Sequence, residues 1–168
     1  MDREFDQFRK EALCLAESKG YEYRDNVKTG TQIDRLARDL GVDRIDLRSL
    51  NGDAFVVERT SGHYSIFLNK AHSRTRHSFS IAHELAHLLM LPTVSPNLHV
   101  PRSIAARRQG STQDRANRKV ENLCNEMASA ILMPRKRIEP LLATPPTANC
   151  IPTPVSYTHL TLPTKRIV

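Results

Sequence analysis

His83-Glu84-Leu85-Ala86-His87 is an H-E-x-x-H run inside a stretch of helical period. Histidines at i and i+4 stand one above the other on one helix face. Both imidazoles can therefore reach a single Zn2+ at ~2.0–2.1 Å. Glu84, one residue further along, lies beside that point. Its carboxylate can take a proton from an activated water and pass it to a leaving amine. A metal makes such a hydrolysis feasible by lowering the water pKa toward ~7 and by polarising a carbonyl. Two ordinary surface histidines are the plain alternative, and the neighbours argue against it. Ile81, Ala82, Leu85, Ala86, Leu88, Leu89 and Met90 make this helix apolar almost all round. Two histidines and a glutamate are costly in such a place unless something satisfies them.

A catalytic zinc usually has three protein ligands and an open position for water. The downstream candidates for the third are Asp114, Glu121, Glu126 and Glu139, with His99 as an outsider. Glu121 lies near the apolar face of a later helix, and Asn125, four residues on, shares its line and can support a ligand by hydrogen bonding. Glu126 points to the other side of that helix. Spacing alone leaves the choice open.

The remaining reactive types read more plainly. His72 and His77 are read as solvated loop histidines rather than oxyanion stabilisers, His63 and His99 as surface, and Tyr64 as core strand packing rather than a proton donor. Cys124, on a buried helix face, is read as an inert small hydrophobe rather than a thiolate switch or ligand. Arg102, Arg107, Arg108, Arg115, Arg118 and Lys119 form the main basic patch. It has none of the aromatic interleaving that a single-stranded nucleic-acid site uses, so it is read as a solvated face, with attraction to an acidic protein as the functional second reading.

Several elements must hold these residues. Phe5, Phe8, Ala12, Leu15 and Ala16 predict a helix over Phe5–Lys19, ended by Gly20. Thr31 is placed to cap a second helix, Gln32–Leu40, which Gly41 ends. Strands follow at Arg44–Leu50, Ala54–Arg59 and Tyr64–Asn69, separated by Asn51-Gly52 and Ser61-Gly62 turns. Tight turns of this kind predict a small antiparallel meander. Helical period returns from about Arg76 to Leu91, stopped by Pro92. Thr93–Gly110 reads as a surface loop, Gln113–Met133 as a last helix, and the six prolines from Pro134 to Pro154 as an extended or disordered stretch. The fold class expected is α+β: a short antiparallel sheet packed against the H-E-x-x-H helix and a second helix carrying the third ligand.

A chain of 168 residues fits one domain. With 39% hydrophobic and 26% charged residues it falls in the ordinary globular range, which excludes collagen-like and coiled-coil chains. Lys and Arg total 25 against 18 Asp and Glu, a formal charge of +7 that permits acidic partners without naming one. Cys14, Cys124 and Cys150 form no C-x-x-C pair, and their odd number speaks against a disulfide framework. The charged N-terminus has no apolar signal-peptide core, and no apolar run approaches the ~20 residues a membrane span needs. The expectation is a cytoplasmic protein with no membrane association.

Arg74–Met90, R-x-R-x-x-F-x-I-A-H-E-L-A-H-L-L-M, followed by Glu121–Pro134, E-N-L-C-N-E-M-A-S-A-I-L-M-P, resembles the ImmA/IrrE family of metallopeptidases. The family pattern is R-x-R-F-x-x-A-H-E-L-G-H-x-L-L, then E-x-x-A-N-x-F-A-x-x-L-L-M-P, and the resemblance covers about residues 31–134. It implies a zincin-like domain in which His83, His87 and Glu121 hold Zn2+ and Glu84 is the general base. It also implies an intracellular endopeptidase acting on a protein substrate, a helix-turn-helix transcriptional repressor in several members, in stress response or mobile-element control. Direct nucleic-acid binding is not expected. The competing reading is a non-catalytic basic regulator, binding DNA or protein, with a structural or vestigial zinc site.

This sequence departs from the pattern in places. Ala86 replaces a glycine, His77-Ser78 separate Arg76 from Phe79, and Cys124 and Met127 replace alanine and phenylalanine. The expected organisation is an N-terminal helix and loop over 1–30, a metallopeptidase domain over 31–134 and a truncated Pro-rich segment over 135–154. Over 155–168, Val155–Thr164 (VSYTHLTLPT) resembles translated sequencing adaptor, so this tail is expected to be non-native and unpacked.

Overall fold

The computed structural model describes residues 2–22, 29–60, 62–98 and 114–143. Five helices and three strands run in the order α1 (Asp2–Glu22), α2 (Thr29–Asp39), β1 (Val42–Arg48), β2 (Ala54–Thr60), β3 (His63–Asn69), α3 (Arg74–Leu89), α4 (Asp114–Leu132) and α5 (Arg135–Ala143). The α+β class is as expected, and each predicted helix and strand is present with ends shifted by a few residues. Thr31, expected as a cap, lies inside α2. The loop histidine His99, most of the 93–110 loop and the whole 155–168 tail lie outside the described residues.

The sheet is not the expected antiparallel meander. Its order is β1-β3-β2, with β3 antiparallel to β2 but parallel to β1. Hydrophobicity explains the order. In β3, Tyr64, Ser65, Ile66 and Leu68 are buried, whereas β1 and β2 carry charged residues and are largely exposed. The most apolar strand takes the centre, which alone is flanked on both edges. Asn51-Gly52 still turns the chain, but as part of a wider link across two strand spacings, ~10 Å. Asn69 at the end of β3 pins that link: its Nδ2 donates to Leu50 O at 2.9 Å and to Gly52 O at 2.8 Å.

Gly41 ends α2 with φ at +81°. A side chain there would be strained, and its Cβ would run into the Gly62 carbonyl. α3 begins at Ser73, whose hydroxyl accepts from Arg76 N, and ends before Pro92. The core lies between the inner face of the sheet and the helices, built from residues such as Phe8, Leu36, Ile66, Leu85, Leu88, Leu123 and Met127.

The segment after Pro134 also differs from expectation. It opens as the helix α5 rather than an extended chain. Two features account for the start: Pro134 is fully buried, and Glu17 on α1 accepts the first backbone N–H, Arg135 N to Oε1 at 3.1 Å. Pro140 sits within this helix. The prolines from Pro145 onward lie outside the described residues.

Candidate active site

From Ser80 to Leu89 α3 is buried, and His83 and His87 are the half-buried exceptions on the side facing a cleft. The cleft, about 690 Å3, runs between α3, β2 and α4, and Asp53, Phe55, Val56, Glu58, Phe79 and Glu121 are among its walls. α4 crosses α3 so that Glu121, Cys124 and Asn125 face the two imidazoles. His83 Nε2 is 3.1 Å from Glu121 Oε2, His87 Nε2 is 3.1 Å from His83 Nε2, and His87 Nε2 is 3.6 Å from Glu121 Oε1. One ligand atom from each of the three residues lies within 4.8 Å of the other two.

These separations suit a metal. Bonds of 2.0–2.2 Å in tetrahedral geometry set neighbouring donors roughly 3.3 Å apart. The nitrogen and oxygen donors of two imidazoles and a carboxylate are a set that zinc accepts. The outer ring nitrogens are also engaged. His83 Nδ1 is 2.9 Å from Asn125 Oδ1, and His87 Nδ1 is 3.3 Å from Cys124 Sγ. Donation from Nδ1–H leaves the Nε2 lone pair turned to the shared point.

The charges respond to this crowding. The hydrogen bonds from His83 and His87 hold the Glu121 carboxylate far below its ordinary range, against a smaller opposing effect of burial. Burial pulls the His83 imidazole down, but its bond to Glu121 and the charges of Glu84 and Glu121 outweigh that and raise it. Glu84 is 7% exposed. Burial raises its carboxyl above the ordinary value, while the two imidazoles and the backbone N–H of Val56 pull the other way. A carboxylate held above its usual range is a stronger proton acceptor near neutral pH.

A family model of the IrrE N-terminal-like domain, a peptidase family, matches residues 31–147. The chain belongs to this family. The match agrees with the resemblance carried by the paired motifs at Arg74–Met90 and Glu121–Pro134. No curated protein matches the chain. Membership in the IrrE N-terminal-like family makes a metallopeptidase-like function the class, and the His83, His87 and Glu121 cluster offers it a metal site. Among the described residues, no helix is long and apolar enough to cross a membrane.

The other sequence candidates fall elsewhere. Glu126 turns away to α1, where Arg9 Nε meets its Oε2 at 2.8 Å. Glu139 is exposed on α5 and does not join the cluster, and the side chain of Asp114 lies outside the described residues. His63 is a surface residue paired with Asp43 at 2.9 Å. His77 is not a solvated loop histidine: it lies in the first turn of α3, part-buried, with Nε2 2.8 Å from Asn69 O. His72 is likewise half-buried, its Nδ1 3.5 Å from Asp53 Oδ1. Neither lines the cleft. Tyr64 is buried in β3 as expected and also borders the cleft floor. Two participants escaped sequence reasoning. The Val56 N–H carries no side-chain signature, and the Cys124 sulfur looked like core filling.

Proposed function

We propose that this chain is a cytoplasmic zinc-dependent endopeptidase, in which His83, His87 and Glu121 hold the metal and Glu84 is the catalytic base. The observation that carries the reading is the convergence of two Nε2 atoms and a carboxylate oxygen on one point, with a buried glutamate beside them in a cleft. Zinc held there would lower the pKa of a water and polarise the substrate carbonyl.

The chain's own residues do the rest. Asn125 fixes the His83 ring through Nδ1. Glu84, kept above the ordinary carboxylate range mainly by burial, takes the proton of the attacking water and delivers it to the leaving amine. The Val56 N–H holds that carboxylate against β2. Because the Val56 N–H turns toward Glu84, away from β3, alternate residues Ala54, Val56 and Glu58 present their backbone groups to the cleft. Among the described residues no strand pairs with that edge of β2. An extended peptide laid along it brings a backbone carbonyl beside Glu84.

The substrate we propose is a regulatory protein of the helix-turn-helix repressor type, as the resemblance of the paired motifs implies, cleaved in stress response or mobile-element control. Purified zinc-loaded protein incubated with a repressor of the helix-turn-helix type is the test. The parent protein is expected to cut it and Glu84→Gln to leave it whole while retaining zinc. Equal cleavage by both proteins would overturn the assignment of Glu84.

A further inference from the structure

We infer that Cys124 is a positioning residue for the metal site: its sulfur accepts the Nδ1–H of His87 and so fixes which nitrogen of that ring faces the metal. The inference rests on the zinc reading above and extends it to a residue whose burial alone looks like core filling.

The two histidines are held in parallel ways. Each directs Nε2 to the shared point and Nδ1 to a side chain of α4: His83 to Asn125 Oδ1 at 2.9 Å, His87 to Cys124 Sγ at 3.3 Å. The second distance is normal for a hydrogen bond to sulfur, which is larger and softer than oxygen. Adjacent residues of α4 thus serve histidines one turn apart on α3. The rings meet nearly edge to face, 4.9 Å between centroids, so a rotation of His87 would disturb His83 as well. Cys124 is 0% exposed. Its thiol is therefore placed for an internal bond and not for reaction with solutes. An imidazole held at Nδ1 binds metal in one tautomer without a search, and partners of this kind are typically worth about 10–100-fold in metal affinity.

The test separates acceptor from bulk. Zinc affinity is measured by chelator competition for the parent, Cys124→Ser and Cys124→Val. Serine keeps an acceptor, and valine fills the space without one. Valine is expected to weaken zinc binding about tenfold and serine to restore most of it. The thermal stability of the metal-free variants is read beside it and is not expected to follow that order. Equal affinity in all three, or equal weakening in both variants, overturns the inference and leaves the zinc site standing. A parent protein that binds no zinc overturns it together with the proposed function.

Discussion

The two sides of α4 do different work. One side turns Glu121, Cys124 and Asn125 to α3 and meets polar atoms at hydrogen-bond distance. The other packs against α1. There the α1 residues Phe8, Ala12 and Ala16 are buried at one per helical turn. At Gly20, in the same series, the two backbones come so close that an added Cβ would lie 2.5 Å from Ile131 O. Charge enters this side at its rim, where Arg9 answers Glu126 at 2.8 Å and the Lys119 ammonium lies 5.3 Å over the Phe5 ring. One helix thus separates chemistry from packing by rotation alone. Glu121 and Asn125 share a line at i and i+4, while Leu123 and Glu126 lie round the far side. Changes on the first side should alter metal and turnover, and changes on the second should alter stability.

Four substitutions or conditions probe that division. The largest effect is expected beside the site. Glu84→Gln should lower turnover by about two to four orders of magnitude, the usual contribution of a positioned base, with zinc content unchanged by metal analysis. On the packing side, Leu123→Ala should cost about 2–5 kcal/mol of stability, since Leu123 is 1% exposed. Denaturant titration reads this, and zinc affinity of the folded fraction should stay at the parent value. A weakened zinc affinity in Leu123→Ala would break the separation.

Asn125→Ala returns to the site side. It removes the acceptor for His83 Nδ1 and should weaken zinc binding about 10-fold or more, with little change in the melting of the metal-free protein. The smallest effect is electrostatic, in that metal-free protein. Glu121 lies below its ordinary value of 4.5, so its contribution is present above that value and is lost as the pH falls through the lowered one. His83 lies above its ordinary 6.5, so its contribution is present below that value and is lost as the pH rises through the raised one. Glu121→Gln should therefore flatten the pH dependence of melting, by well under about 1 kcal/mol because Glu121 is half exposed. A larger acid sensitivity in Glu121→Gln than in the parent would contradict the pairing.

Much of this was readable in the residues. The i, i+4 histidines, the adjacent glutamate and the apolar surround mark α3 as a candidate metal helix without any structure. Glu121 was one carboxylate among four by spacing, and the resemblance to a second motif singled it out. The support from Asn125 followed from its place one turn beyond Glu121. Three features were not readable. Strand order depends on which strand can be buried on both edges, and the Asn51-Gly52 turn suggested a simple hairpin that the link pinned by Asn69 replaces. The helix after Pro134 depends on Glu17, more than a hundred residues earlier, accepting its first N–H. The Val56 N–H has no side chain to announce it. Each of these is decided by partners distant in sequence, which local pattern does not contain.

Metal content tests the proposed zinc site most directly. The protein, purified without chelators and dialysed against metal-free buffer, is analysed for zinc beside His83→Ala and Glu84→Gln. A zinc site held by His83, His87 and Glu121 predicts close to one zinc per chain in the parent and in Glu84→Gln, and almost none in His83→Ala. A folded parent protein that neither carries zinc nor takes it up on titration would contradict it.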